Sequence, residues 1–432
     1  MKSGRMTIIL IAGLTLALSG CWHKLNIQNP PKINNPVVNV ASDPGQPFQA
    51  GFGKAMITPE MKVWMAGFDP GQRRSVGVHD DLYARALVLE QGEEKLALVS
   101  LDLIGLNRED IENYKALVPG FRPDQILVAC THTHSGPDTM GVWGLIPFSA
   151  GNNPDYMKKI GQGITEAIQD AEAGLKPASM FTAVYQMNPN LMFNKRDPLD
   201  KDDTMGILVF KDQAGAIIAT LINLTGHPEV EWETNHKISA DYPGVVYRLV
   251  EKKYGGGAIF FNGPLGGLVS PNLPVPEADH SWEELEDFGQ KVVAEVDRGM
   301  GLLVREQSPS IKHRLSLIQA PVINKIYTLG VEFGMFERNV YPGPSLLTEV
   351  SLIELGSAQI VTFPGEAYPK QGLKIRSHQK ANSFQIALAD DELAYILYPE
   401  DYDAELYKYE RSLCVGPDLA VEIDRALLEL LR

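Results

Sequence analysis

Gln125-Ile126-Leu127-Val128-Ala129-Cys130-Thr131-His132-Thr133-His134-Ser135-Gly136-Pro137-Asp138 is the stretch on which the reading of this chain turns. The run from Gln125 to Ala129 is apolar and of strand length, and it ends where polar residues and a Gly-Pro turn begin. If the strand continues, His132 and His134 point to one face, because alternate residues of a strand share a side. Two imidazoles in one pocket at a strand end suit a metal site, one ring ligating while its neighbour ligates too or moves protons. A pair of solvated or core histidines has the same spacing, so the stretch alone does not decide between them.

Working outward, short apolar runs of strand character recur at Lys95 to Leu101, Gly206 to Phe210, Ile217 to Leu221, Ala258 to Phe261 and Gln359 to Phe363. Between them, apolar residues return every three or four positions over Asp155 to Ala173, Tyr242 to Lys253, Ser281 to Met300 and Leu419 to Leu431, which predicts helices. The alternation is that of a mixed α/β fold. There is no linker-like stretch, fixed-period repeat or low-complexity block, so residues 51–432 read as one large domain. The three-glycine run Gly255 to Gly257 reads as a turn, since no Walker lysine accompanies it.

Other predicted strand ends carry chemistry too. Asn223-Leu224-Thr225-Gly226-His227-Pro228 follows one apolar run, and Val361-Thr362-Phe363-Pro364-Gly365-Glu366 closes another in a Pro-Gly turn bearing a carboxylate. Strand ends are where α/β sites gather. Nearby lie Ser239 to Gly244 and the glycine-rich segment Phe261 to Asn272, whose small residues permit tight backbone beside a pocket. Asp241 and Asn223 are candidates for hydrogen bonds that fix a ligating ring, or for helix caps.

The composition narrows the partners. Of 432 residues 44% are hydrophobic and 22% charged, an ordinary globular balance, and the net charge of −15 repels phosphate backbones, which excludes a nucleic-acid partner. The three cysteines, Cys21, Cys130 and Cys414, are too few for a disulfide framework and lack the spacing of a structural zinc site; Cys130 reads as a buried thiol.

Lys2 and Arg5 precede an apolar run from Met6 to Leu18, too short to span a bilayer comfortably. It ends in Leu18-Ser19-Gly20-Cys21, which resembles the bacterial lipobox and implies that residues 1–20 are a lipoprotein signal peptide and that Cys21 is lipidated. Residues 21–50, with Pro30, Pro31, Pro36, Pro44 and Pro47, are expected to form a flexible tether. The chain is then expected to be lipid-anchored in a bacterial cell envelope, facing outside the cytoplasm, because two or more lipid chains suffice for lasting attachment.

The spaced motifs resemble the neutral ceramidase family, specifically its N-terminal zinc-hydrolase domain. The resemblance covers most of residues 50 to 415: Gly51-Phe52-Gly53-Lys54-Ala55-Met56-Ile57-Thr58-Pro59, Asp81-Leu82-Tyr83-Ala84-Arg85-Ala86, the hallmark Thr131 to Pro137, the Pro364-Gly365-Glu366 turn, and Ala394-Tyr395-Ile396 with the acidic-aromatic stretch to Tyr409. It implies a neutral-ceramidase-like catalytic domain with mixed β-sheets flanked by helices. It implies His132, His227, Glu366 and Tyr395 as ligands of Zn2+, with His134 as a proton-transfer group and Tyr407 holding substrate or developing charge. The residues alone do not select Tyr395 over Tyr398 or Tyr402.

The family's Gly-Asp-Val-Ser-Pro-Asn segment is here Gly267-Leu268-Val269-Ser270-Pro271-Asn272, which gives Ser270 a substrate contact without the neighbouring aspartate. The family's arginine falls at Asn194-Lys195-Arg196, where either cation is a candidate. No immunoglobulin-like C-terminal domain is expected, and Trp143-Gly144-Leu145-Ile146-Pro147-Phe148 is a candidate channel lining or core segment. The implied activity is hydrolysis of a linear amide, in ceramide or another N-acylated lipid, by a zinc-activated water. The alternatives are a zinc hydrolase of a carboxyl ester, lactone or phosphoester, and a non-catalytic lipid-binding envelope lipoprotein.

Overall fold

The computed structural model describes residues 33, 35, 37–145, 150–275, 280–332 and 338–432. The signal segment, Cys21 and the greater part of the expected tether lie outside the described residues, as do residues 146–149 of the apolar segment after the hallmark.

Two β-sheets stack face to face, each with helices on its outer side. The nine-stranded sheet runs in spatial order Gly257–Asn262, Ile217–Leu224, Thr204–Asp212, Lys176–Gln186, Phe48–Met56, Tyr83–Gln91, Glu94–Leu101 and Ile126–Cys130, with Val304–Arg305 alongside Lys176–Gln186. The five-stranded sheet runs Val37–Ala41, Ile311–Pro321, Ser345–Leu355, Ala358–Thr362 and Ser383–Ile386.

Strand periodicity builds the layers. Leu87 and Leu89 pack with Ile353, Ile360 and Phe384 of the smaller sheet, while their neighbours Ala86 and Val88 pack with Ile164 and Ala167 of the helix Pro154–Ala173. That helix starts at Asn153, whose side chain accepts from the Asp155 and Tyr156 amides at 2.9 and 3.1 Å. It lies so close to Phe48–Met56 that a Cβ on Gly51 would fall 2.0 Å from the Ala171 carbonyl oxygen. Ser281 and Glu284 form a capping box for Trp282–Met300, and Asp418–Leu430 covers the outer face of the smaller sheet. The mixed α/β fold read from the sequence is therefore observed, with element ends displaced by a few residues.

Over residues 37–50 the expected flexible tether is corrected. Val37–Ala41 pairs antiparallel with Ile311–Pro321, and Phe48–Met56 lies within the larger sheet. Of the prolines that suggested a tether, Pro44 and Pro47 stand between strands rather than in them, and Val37–Ala41 is an edge strand.

Cross-links bring distant strand ends together. The Ser100 hydroxyl donates to the Phe260 carbonyl at 2.6 Å, and the Asn262 amide donates to the Thr131 and Gly226 carbonyls at 3.0 and 2.8 Å. The two edges of the larger sheet thus bend towards each other, placing the hallmark beside the His227 loop. Asn223 donates to the Phe261 and Gln385 carbonyls at 2.9 and 2.8 Å, which ties in the smaller sheet. Among the described residues no helix is long and apolar enough to cross a membrane.

Candidate metal centre

Three histidine rings meet where these strands end. The centroids of His132, His134 and His227 lie 5.0 to 5.4 Å apart, and one donor nitrogen from each falls within 4.8 Å of the others. All three are buried. The convergence does not come from strand alternation, as the sequence suggested, because the strand stops at Cys130 and His132 takes a left-handed backbone with φ 73°. Such a conformation costs energy for a non-glycine residue and here turns the ring inward.

The hydrogen bonds fix which nitrogen faces the centre. His132 donates from Nδ1 to the Ile104 carbonyl at 2.6 Å, and His227 donates from Nδ1 to the Val269 carbonyl at 2.7 Å. Each Nε2 is thereby turned towards Glu366: His132 Nε2 lies 3.6 Å from Oε1 and His227 Nε2 3.2 Å from Oε2. Tyr395 stands beside Glu366, in register across a short parallel strand pair, and the Glu366 amide donates to the Ala394 carbonyl at 2.8 Å.

This donor set fits a divalent cation. Burial holds the His132 ring at a pKa of about 4, so at neutral pH its Nε2 presents a lone pair to a carboxylate. Two acceptors facing each other need a positive charge between them. Tetrahedral ligands at about 2.0–2.1 Å from an ion are separated by about 3.3 Å, and the two histidine–carboxylate separations bracket that value. Burial lowers the His227 pKa, but the hydrogen bond its Nε2 donates to Glu366 and the charge of Glu229 outweigh it and leave the ring above its ordinary value. Burial and the Glu366 charge push the Tyr395 phenol well above 10, and a cation shared with Glu366 reverses that bias. The Glu392 carboxyl is likewise held well above its usual range, by burial and then by Glu366.

Comparison with known proteins supplies the family. Residues 48–279 match the family model described as neutral/alkaline non-lysosomal ceramidase, N-terminal. The chain belongs to this ceramidase family. Relatives include the neutral ceramidase of Pseudomonas aeruginosa, 28% identical over 276 residues, covering 57% of this chain and 41% of that protein. The neutral ceramidase of Mycobacterium tuberculosis is 27% identical over 232 residues, covering 48% and 36%. The match thus spans about two fifths of these relatives' own length. The crystal structure of the Pseudomonas aeruginosa neutral ceramidase superposes with a TM-score of 0.73 at 20% identity over 89% of this chain and 74% of that one. A structure described as a ceramidase complexed with C2 has the same TM-score and identity, covering 89% and 75%. Both show the shared fold.

Around the centre, the neighbouring side chains of this ceramidase-family chain are held as follows. Ser270 is buried, and its hydroxyl donates to Glu229, a carboxylate the sequence reading missed. Lys195 Nζ reaches Glu229 Oε1 at 3.2 Å, while Arg196 pairs with Glu410, so the two adjacent cations serve different carboxylates. Tyr407 packs edge-on against Tyr368 at 5.3 Å, whereas the ring standing against Tyr395, at 5.9 Å, is Tyr409. Asp241 and Asn223 do not orient the ligating rings. Asp241 caps the helix Tyr242–Tyr254 and accepts from the Val230 and Glu231 amides, and backbone carbonyls hold the rings instead.

His134 is gripped from outside the metal set. The buried Arg73 donates to its carbonyl at 2.6 Å and lies over the Phe68 ring at 4.5 Å, and Phe68 meets the His134 ring edge-on at 5.2 Å. Gly67 has φ 105° and passes so near that a Cβ there would sit 2.5 Å from His134 Cγ. Burial, then the neighbouring histidines, Arg73 and Lys195, hold the His134 pKa well below its ordinary value. In a single sequence Glu229 is one of three alternating glutamates, with Glu231 and Glu233. Its only signal was its place two residues after His227.

Proposed function

We propose that this chain is a zinc-dependent hydrolase of a linear amide, in ceramide or another N-acylated lipid. The observation that carries the reading is the pair of carbonyl-anchored imidazoles whose Nε2 atoms face the two oxygens of Glu366, with Tyr395 alongside. The names of the relatives supply the amide substrate class. His132, His227, Glu366 and Tyr395 would hold the ion. A zinc ion there supplies Lewis acidity, polarising an amide carbonyl and making water acidic enough to react near neutral pH.

The chain's own groups do the rest. His134, neutral and beside the centre, takes a proton from the attacking water and passes it to the leaving nitrogen. The Ser270 hydroxyl has two protein acceptors for its single hydrogen, Glu229 and the Leu268 carbonyl at 3.1 Å, so towards a substrate it acts as an acceptor, suited to an N–H or O–H group. Tyr407, or Tyr409 against Tyr395, offers a phenol for the substrate or the developing charge. Phe68 and Trp232, in edge contact at 4.7 Å and partly exposed, form an apolar wall next to His134.

Upstream of the domain, Cys21 is the proposed site of lipidation, after removal of residues 1–20, which would hold the enzyme on a membrane of the bacterial envelope. Detergent phase partitioning of wild type and Cys21→Ser tests this: the variant should move to the aqueous phase, and equal partitioning would overturn it. A panel of N-acyl sphingoid, N-acyl amino acid, ester, lactone and phosphoester substrates tests the reaction. Cleavage of an N-acyl member that is lost with chelator and restored by zinc is expected. Turnover confined to esters, lactones or phosphoesters moves the assignment to that class, and no turnover leaves a lipid-binding lipoprotein.

A further inference from the structure

Glu229 is buried, and each of its oxygens has a separate task. Oε1 takes two donors, the Lys195 ammonium at 3.2 Å and the Ser270 hydroxyl. Oε2 lies 3.4 Å from His134 Nδ1, within ion-pair reach without closing a hydrogen bond, and among the described residues that buried nitrogen has no other hydrogen-bond partner. These partners come from three separate segments: the turn after Met192–Asn194, the strand Val269–Pro271 and the hallmark. Lys195 is itself fixed 4.3 Å over the Trp232 ring. A carboxylate buried only to hold loops together would be satisfied by the ammonium and the hydroxyl. Here the second oxygen is aimed at the imidazole nearest the centre.

A carboxylate has no hydrogen to give, so it selects the His134 form whose hydrogen sits on Nδ1 and leaves the Nε2 lone pair free. The same logic orients His132 and His227, except that backbone carbonyls do the work there. We infer that Glu229 is a positioning residue that sets the His134 tautomer and orients the Ser270 hydroxyl, coupling the two groups that flank the metal centre. This rests on the hydrolase reading above.

The experiment compares wild type with Glu229→Gln. Both donors sit on Oε1, so the glutamine carbonyl oxygen stays there and its NH2 group faces His134, forcing the hydrogen from Nδ1 to Nε2. Long-range 1H–15N imidazole correlation spectra of the full chain, with the His134 signal identified by its loss in His134→Gln, should show Nδ1–H in wild type and Nε2–H in Glu229→Gln. Zinc content should be unchanged, kcat on the best N-acyl substrate should fall about 10- to 100-fold, and KM should change less than threefold. Glu229→Asp, which keeps two acceptor oxygens, should recover part of kcat.

Wild-type His134 in the Nε2–H form overturns the inference without any variant having to fold. So does a Glu229→Gln protein with the wild-type tautomer, or with kcat within twofold of wild type. If wild type cleaves no substrate of the panel, the hydrolase reading fails while the tautomer spectra still decide the role of Glu229.

Discussion

Replacing Gly67 with alanine separates the geometry of His134 from the metal ligands. The new Cβ would lie 2.5 Å from His134 Cγ, 2.6 Å from its Cβ and 2.8 Å from Nδ1. Carbon atoms in contact prefer about 3.5–4.0 Å, so the ring or the Gly67 backbone must yield by about 1 Å. The backbone at φ 105° adds about 1–2 kcal/mol for any residue with a Cβ. Gly215→Ala is the control: its φ is 85° and a Cβ there meets nothing within 4 Å, so it carries the conformational cost alone. Both variants should lose about 1–2 kcal/mol in urea titrations, with Gly67→Ala losing about 1–3 kcal/mol more from overpacking. Only Gly67→Ala should lose turnover, by about 100-fold for a 1 Å displacement of a catalytic group, with its zinc retained. Gly67→Ala turning over within twofold of Gly215→Ala would refute the placement of His134 in the reaction.

Two further outcomes follow from buried charges. His313 lies far from the centre in sequence, buried between the Asp124 carbonyl and the Ser351 hydroxyl, and burial holds its pKa at about 4. The unfolded ring binds a proton below about pH 6.5 and the folded ring only near 4. Stability should therefore be full above pH 6.5 and fall by on the order of 3 kcal/mol as pH drops to 4. His313→Asn should flatten that slope in urea titrations at pH 7 and 4.5, and an unchanged slope would contradict it. Lys195→Met leaves Glu229 buried without its cation and should cost about 3 kcal/mol. Combining it with Glu229→Gln should recover part of that loss in a double-mutant cycle, whereas additive losses would show the pair to be uncoupled.

The elements were legible in the sequence because short apolar runs and helical spacing report burial directly, as at Glu94–Leu101 and Pro154–Ala173. Val37–Ala41 was not, since its five residues between prolines carry too short a pattern to stand out from a tether. The strand-end histidines and Glu366 were visible as ligand types after apolar runs, but Tyr395 was singled out only by family resemblance. The supports of the rings were invisible for a physical reason: the Ile104 and Val269 carbonyls are backbone groups, with no residue-type signature. The left-handed turn at His132 and the choice of Glu229 among three glutamates depend on tertiary contacts that one sequence does not encode locally.

The most direct measurement is zinc content with X-ray absorption at the zinc edge, on wild type, His132→Ala and His227→Ala. Wild type should hold one zinc per chain with only nitrogen and oxygen donors, at about 2.0–2.2 Å and without sulfur, and each variant should lose the ion. Full zinc occupancy in both variants, or a sulfur donor in wild type, would contradict the centre described here.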